Sequence, residues 1–227
     1  FLQPFVFMIM YVIVFQFIFG MEGDNGSPYV VWFLPGMSIW QVINDSIMSS
    51  SMSIRSYSYL VKKVVFPIDI IPVISIIGSS FVSIFLLAVA TVICIVFGYM
   101  PNILSVLYVI IALYAFILAF TRFTSALTTL VPDFSNLLGI LMQLFFWATP
   151  VVWSVTRLAG HQKILEIIQC MPFAYLVTAF REAFMGGNII TAHNGMYTII
   201  FWIITIIMFI WGNHIFNKNK KDFADVL

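Results

Sequence analysis

Charge is what this sequence has least of. Of its 227 residues only 8% are Asp, Glu, Lys or Arg, ten basic against nine acidic, where a soluble domain carries roughly 25%. That is too little to cover a water-facing surface. With 62% hydrophobic residues and a mean hydropathy of +1.07, the composition excludes a soluble globular domain and requires a polytopic membrane protein. Cysteine is nearly absent too: Cys94 and Cys170 make no disulfide framework, and Cys94 falls inside an apolar run. The three histidines, His161, His193 and His214, share no ligand spacing with one another or with the cysteines, so no metal is expected. There is no GxSxG elbow and no GxxxxGK[ST] loop to cradle a nucleotide's phosphates. The chain therefore reads as no enzyme, with no cofactor of its own, and any ATP-driven role must take its ATPase from another chain. The net charge of +1 says nothing about partners, but with no basic patch no nucleic-acid partner is expected.

What is abundant is apolar length. A spanning helix needs about 20 mostly apolar residues, and six runs qualify: 1–19, 29–50, 70–97, 103–121, 134–155 and 195–212. The expected fold is all-α, an integral membrane domain covering 1–227. The run at 70–97 is too long for one straight helix, and Pro72 and Gly78 are expected to kink it. Arg122 to Asp133 reads as a short loop, Glu22 and Asp24 lie in a turn-rich acidic loop, and Asn217 begins a basic tail. The run at 1–19 lacks the charged start and small-residue cleavage site of a signal peptide, so an N-terminal cytoplasmic segment ahead of Phe1 is expected to be missing. Lys and Arg in the loops set orientation. Arg55, Lys62, Lys63, Arg122, Lys218, Lys220 and Lys221 fall on one side and Arg157, Lys163 and Arg181 on the other. The first set marks the cytoplasm, with both termini there, and the segments 20–28 and 157–191 face outward.

The stretch 53–72 is the longest interior segment mixing charge into apolar sequence. Leu60, Val61 and Val64 form a stripe at helical spacing, with Lys62 and Lys63 off it, and Pro67 and Pro72 force breaks. It reads as a short amphipathic helix followed by a kinked re-entry, or else as a loop whose charges only set topology. Between the fifth and sixth runs, Phe173, Leu176, Val177, Phe180 and Phe184 share one helical face of a segment too short to span. It is expected to lie shielded at the interface or to dip in and return, lining a water-accessible vestibule. Ser75, Ser79 and Ser83 recur on one helix and Ser46, Ser50 and Ser53 on another, a spacing that favours close helix packing or else lines a polar path. Asp45 and Asp69 sit near helix ends, where water, Arg55 or Lys63 would meet them. Trp32, Trp40, Trp147, Trp153 and Trp211 lie near span ends, as interfacial belts do, though Phe145-Phe146-Trp147 also offers flat faces for sugar rings.

Several of these segments stand in a familiar order: Gln3-Pro4, Pro28-Tyr29, Leu34-Pro35-Gly36-Met37-Ser38-Ile39-Trp40, Leu60 to Pro67, Ile71-Pro72, Pro132-Asp133, Thr149-Pro150-Val151-Val152-Trp153, Met171-Pro172-Phe173, Phe180-Arg181 and Phe223 to Leu227. In this the chain resembles the permease subunits of type-2 ABC exporters, specifically the branch that moves O-antigen, capsular polysaccharide and teichoic acid. Met171-Pro172 stands where that family usually has Asn-Pro, and its amphipathic helix before the first span is absent. The resemblance implies a six-span fold with a cytoplasmic coupling helix and outer re-entrant helices. It implies assembly with a second copy and with two ABC ATPase chains that hold ATP and magnesium, in the cytoplasmic membrane of a bacterium, among membrane lipids. The substrate would be a lipid-linked glycan. ATPase coupling would fall to Arg55, Tyr57, Tyr59, Leu60, Val61, Lys62, Lys63 and Val64, and a substrate path to Trp40, Phe145, Phe146, Trp147, Trp153, Tyr175 and Arg181. The rival readings are a type-2 exporter of drugs, peptides or lipids, a polytopic membrane enzyme, and a membrane scaffold.

Overall fold

The computed structural model describes residues 2–63, 67–158, 160–187 and 195–226. Regular structure in them is helical, apart from a single bridge between Glu22 and Pro28. The chain opens with α1 (Leu2–Val12), which continues as a π-helical turn over Ile13–Ile18. Then come α2 (Tyr29–Ser56), α3 (Ser58–Lys63), α4 (Ile71–Val96), α5 (Ile103–Leu130) and α6 (Phe134–Ala148). The bent pair α7 (Gln162–Gln169) and α8 (Pro172–Phe184) follows, then α9 (Gly195–Asn219) and the short α10 (Phe223–Val226).

Several boundaries differ from the sequence expectation, each for a local reason. α4 runs unbroken, because Pro72 is its second residue, where a missing N–H costs nothing. α5 continues through Arg122 to Leu130, where a loop was expected. Hydropathy falls there, but the helix does not end. The hydroxyls of Thr124 and Thr129 bond back to the carbonyls of Phe120 and Ser125 at 3.3 and 2.7 Å and are buried among neighbours. α6 stops at Ala148, ahead of Pro150, and not at Val155. α9 runs on to Asn219, taking in residues read as the start of a tail.

The helices Ile68–Val96, Ile103–Leu130 and Gly195–Asn219 are long and apolar enough to cross a membrane, or four spans if the bent pair is one. α6, with 15 residues, rises only about 22 Å against a hydrocarbon core of roughly 30 Å. α2 is long enough but carries seven serines with Asn44 and Asp45. Ser38, Ser46, Ser50, Ser51 and Ser53 are all buried by protein. A helix enclosed by other helices has no need of an apolar lipid face, so its hydropathy understates its place.

The chain divides into two compact units. One holds residues 1–41, 82–112 and 145–201. Its centre is the first part of α2, in which every residue from 31 to 40 is buried. Tyr11 of α1 packs on Phe33 at 5.7 Å, and Ser38 reaches the Leu86 carbonyl of α4 at 3.4 Å. Tyr29 donates to the Val152 carbonyl at 2.9 Å. α8 is buried on almost every side, including the five residues expected to share its apolar face, and meets α7 at 87°. The Asn102 amide donates to the Ala183 carbonyl at 2.8 Å, tying the end of α8 to the turn after α4.

The other unit holds residues 42–81, 113–144 and 202–227. Its core is Ile54, Ile71, Ala126, Phe216 and Phe223. The expected serine packing is present: Ser46 Oγ of α2 lies 3.0 Å from Ser79 Oγ of α4, and Tyr114 donates to Ser80 at 2.8 Å. α9 approaches α5 through Gly212, where a Cβ would stand 3.1 Å from the Ala119 carbonyl oxygen and from the Phe123 nitrogen. Beside it Phe123 and Trp211 stack at 5.2 Å.

Candidate coupling and substrate-path residues

α2 does not run straight into the coupling stretch. It ends at Ser56, Tyr57 forms the break, and α3 restarts at Ser58. Arg55, in the last turn of α2, donates to the Thr129 carbonyl of α5 at 3.2 Å. A cation there offsets the negative end of that helix. Tyr57 and Leu60 line a shallow apolar pocket of about 120 Å³ with Ile71 and Ile74. Val61, grouped by the sequence with Leu60 on one stripe, turns inward against the Ile54–Phe216–Phe223 core. The stripe is split because α3 must cover its own chain's core before it can offer a face to anything else. What reaches the surface is Tyr57, 40% exposed, Tyr59, 57% exposed, and Lys62. Lys63 closes the helix; its side chain and Val64 lie outside the described residues.

Among the described residues Asp69 pairs with Arg122 and Lys220; of its expected partners, Arg55 turns to Thr129 instead and the Lys63 side chain lies outside the described residues. Arg122 holds one oxygen at 3.2 Å and Lys220 the other. Arg122 also lies over the Phe216 ring, 5.0 Å from its centre. The sequence pointed to Arg55 and Lys63 because they are near in the chain. The actual partners come from α5 and from beyond α9.

The path residues do not form one surface. Trp40 meets Phe146 at 5.6 Å and Phe173 at 5.9 Å, Phe145 meets Phe173 at 4.8 Å, and Trp147 meets Phe146 edge-on at 5.4 Å, so four of the seven join one aromatic cluster. Trp147 is exposed and Trp153 donates to its carbonyl at 3.0 Å. Tyr175 is buried, stacked on Phe201 at 4.6 Å, with its hydroxyl 3.0 Å from that of Tyr108 and 3.2 Å from that of Thr198.

Arg181 is 4% exposed and spends its guanidinium inside the protein. Its Nε donates to the Trp32 carbonyl at 2.8 Å, and Nη2 to those of Pro150 and Val151 at 3.0 and 3.1 Å. Its charge lies 3.5 Å from the centre of the Trp32 ring. The two carbonyls lie in the turn just past the end of α6, and their dipoles help offset a buried cation. Trp32 in turn donates to Asp24 at 2.7 Å, and Asp24 also accepts from Ser154. Pro35 and Gly36 shape the other wall. Proline removes the N–H that would serve the Val31 carbonyl, which takes Cys94 Sγ at 3.9 Å. At Gly36 a Cβ would fall inside van der Waals contact of Arg181 Nη2 and 3.1 Å from its Cζ. The sequence singled out Pro35-Gly36 and Arg181 but gave no reason to join them. The available signal was a lone arginine in an apolar helix, which needs an internal partner.

The comparisons with known proteins agree with one another. Residues 1–185 match the family described as "ABC-2 type transporter". Two Klebsiella pneumoniae proteins named "O-antigen export system permease protein RfbA" are 25% identical over 228 residues and 26% identical over 229, covering 99% of this chain and 85% of the relative. A Myxococcus xanthus protein of the same name is 21% identical over 227 residues, at the same coverage.

Proposed function

Because the chain belongs to the ABC-2 type transporter family, matched over residues 1–185, we propose that it is the permease subunit of an ATP-driven exporter moving a lipid-linked polysaccharide out across a bacterial cytoplasmic membrane. The observation that carries the cargo is the set of relatives named as O-antigen export permeases, aligned over 99% of the chain. ATP and magnesium belong to a separate ATPase chain in this reading. Support comes from the sequence, which contains no phosphate-cradling loop.

The work of this chain is then conformational. An ATPase that closes on ATP pushes on the segment 55–64, and the push tilts the spans. The exposed face of α3, led by Tyr59 and Lys62, is what such a partner meets, with Tyr59 as the anchor and Lys62 as rim. The orientation is supported by the division of basic residues, with Arg55, Lys62, Lys63, Arg122, Lys218, Lys220 and Lys221 on the cytoplasmic side against Arg157, Lys163 and Arg181 on the other. A second copy of the chain is supported by α6, where Leu137, Ile140 and Leu144 are exposed together with Asn136 and Gln143. A polar amide facing out of a membrane helix favours another helix over lipid. The substrate path would use the aromatic surface around Phe145, Trp147 and Trp153, with Trp40, Phe146, Tyr175 and Arg181 holding it from behind.

The test is reconstitution of the permease with its ATPase in vesicles loaded with lipid-linked O-antigen. ATP-dependent appearance of the glycan on the far face is the expected result. ATP-dependent movement of a drug or peptide with no movement of the glycan would replace this cargo with the rival one.

A further inference from the structure

α3 has little of its own to hold it in place. Six residues form less than two turns, and isolated helices shorter than about 12 residues do not persist in water. Packing on one side keeps it. Val61 lies against the cluster of Ile54, Ile71, Ala126, Phe216 and Phe223. Phe223 comes from α10, is fully buried, and meets Phe216 of α9 edge-on at 5.4 Å. The turn leading into α10 is tied as well, because Lys220 pairs with Asp69, whose other oxygen takes Arg122 of α5. A tail of Lys218, Lys220, Lys221 and Asp222 reads as solvated sequence. A fully buried phenylalanine immediately after it is not what a solvated tail carries.

We propose that residues 220–226 are a positioning brace for α3. Phe223 fixes α3 against α9, and the Lys220–Asp69–Arg122 ion cluster extends the hold to α4 and α5. A push on α3 then moves those helices together instead of folding α3 aside. The proposal rests on the coupling role given above to 55–64 and supplies that role with its mechanical link.

Two measurements test it on the full chain. The first is amide hydrogen exchange in lipid nanodiscs, without ATPase. Phe223→Ala should speed exchange across 58–63 at least tenfold while 31–40 stays unchanged, and Phe223→Leu should restore most of the protection. Unchanged exchange at 58–63 overturns the brace. The second is the ratio of glycan exported to ATP hydrolysed in vesicles. That ratio should fall at least fivefold in Phe223→Ala with the ATPase still bound, and recover in Phe223→Leu. Loss of the ATPase, or export and hydrolysis falling together at a constant ratio, also overturns it. If Phe223→Ala does not accumulate, Lys220→Ala is read by the same two measures, and no change in either overturns the brace. Failure of the underlying coupling role shows separately: Tyr59→Ala would leave ATPase binding and stimulation intact, whatever the exchange experiment finds.

Discussion

Gly36→Ala is the smallest change that tests the Arg181 notch. One methyl group would enter a fully packed part of α2, inside contact distance of Arg181 Nη2, 3.1 Å from Cζ and 3.4 Å from Nε. Arg181 is buried, and moving its guanidinium away from Gly36 would strain or release the carbonyls it holds. Those bonds, at 2.8 Å to Trp32 and 3.0 and 3.1 Å to Pro150 and Val151, together with the Trp32 ring, hold this buried cation. Hydrogen bonds to charged groups contribute about 1.5–3 kcal/mol each, and a buried charge deprived of its partners costs about 3–5 kcal/mol. If α2 backs away instead, packing is lost at a similar scale. We expect Gly36→Ala to cost about 3 kcal/mol or more, a fall in melting temperature of roughly 6–12 °C at about 2–4 °C per kcal/mol for a chain of this size. Gly78→Ala is the control, since nothing lies within 4 Å of its Cβ position on α4; there alanine should be neutral or stabilising by up to about 1 kcal/mol. The assay is thermal unfolding of the purified permease in nanodiscs. A double variant sharpens it. Once Arg181→Met has removed the obstructing group, adding Gly36→Ala should cost less than about 1 kcal/mol more, a strongly non-additive cycle. Additive effects, or a Gly36→Ala indistinguishable from Gly78→Ala, would refute the notch.

Gly212→Ala should destabilise by about 1–3 kcal/mol, because its Cβ would meet backbone of α5 at Ala119 and Phe123, which cannot rotate away as a side chain can; an unchanged melting temperature would mean α9 and α5 are not in close approach. Asp69→Asn should cost less than about 1 kcal/mol at each of its two ion pairs, since the groups are 21–35% exposed and screened, and high salt should shrink the difference from wild type; a cost that salt leaves untouched would mean the pairs are not the source. Tyr59→Asp should abolish ATPase stimulation at normal membrane insertion while Lys62→Ala changes it less than about twofold, as expected for an anchor and a rim residue; equal effects would reverse the assignment. With Cys170 first changed to Ser, cysteine labelling at Gly26 should proceed in intact cells, and labelling at Lys221 should need permeabilisation. Labelling of Lys221 in intact cells would invert the proposed orientation.

Much of this protein follows from chain composition. A charged fraction of 8% and long uncharged runs require a membrane environment whatever the fold, because transfer of apolar surface from water is additive along a sequence and needs no partner. Helix periodicity is equally local, and it suffices to locate α8's buried face and the serine contacts between α2 and α4. What sequence could not resolve were choices between equivalent local options. Nothing near Arg122 says whether falling hydropathy ends a helix or carries it on into a protein-lined environment. Nothing near Leu60 and Val61 says which of the two turns inward; Phe223 and Phe216 decide that from the far end of the chain. Arg181 could equally have faced a path or a carbonyl cage, and the cage is built by residues 149, 31 and 30 positions away. Asp69 had cations nearby in sequence and was taken by one 151 positions off. A buried charge is stabilised by whatever dipoles surround it in space, at distances of about 3 Å. Only tertiary packing, which brings helices from opposite ends of the chain together, determines what those are.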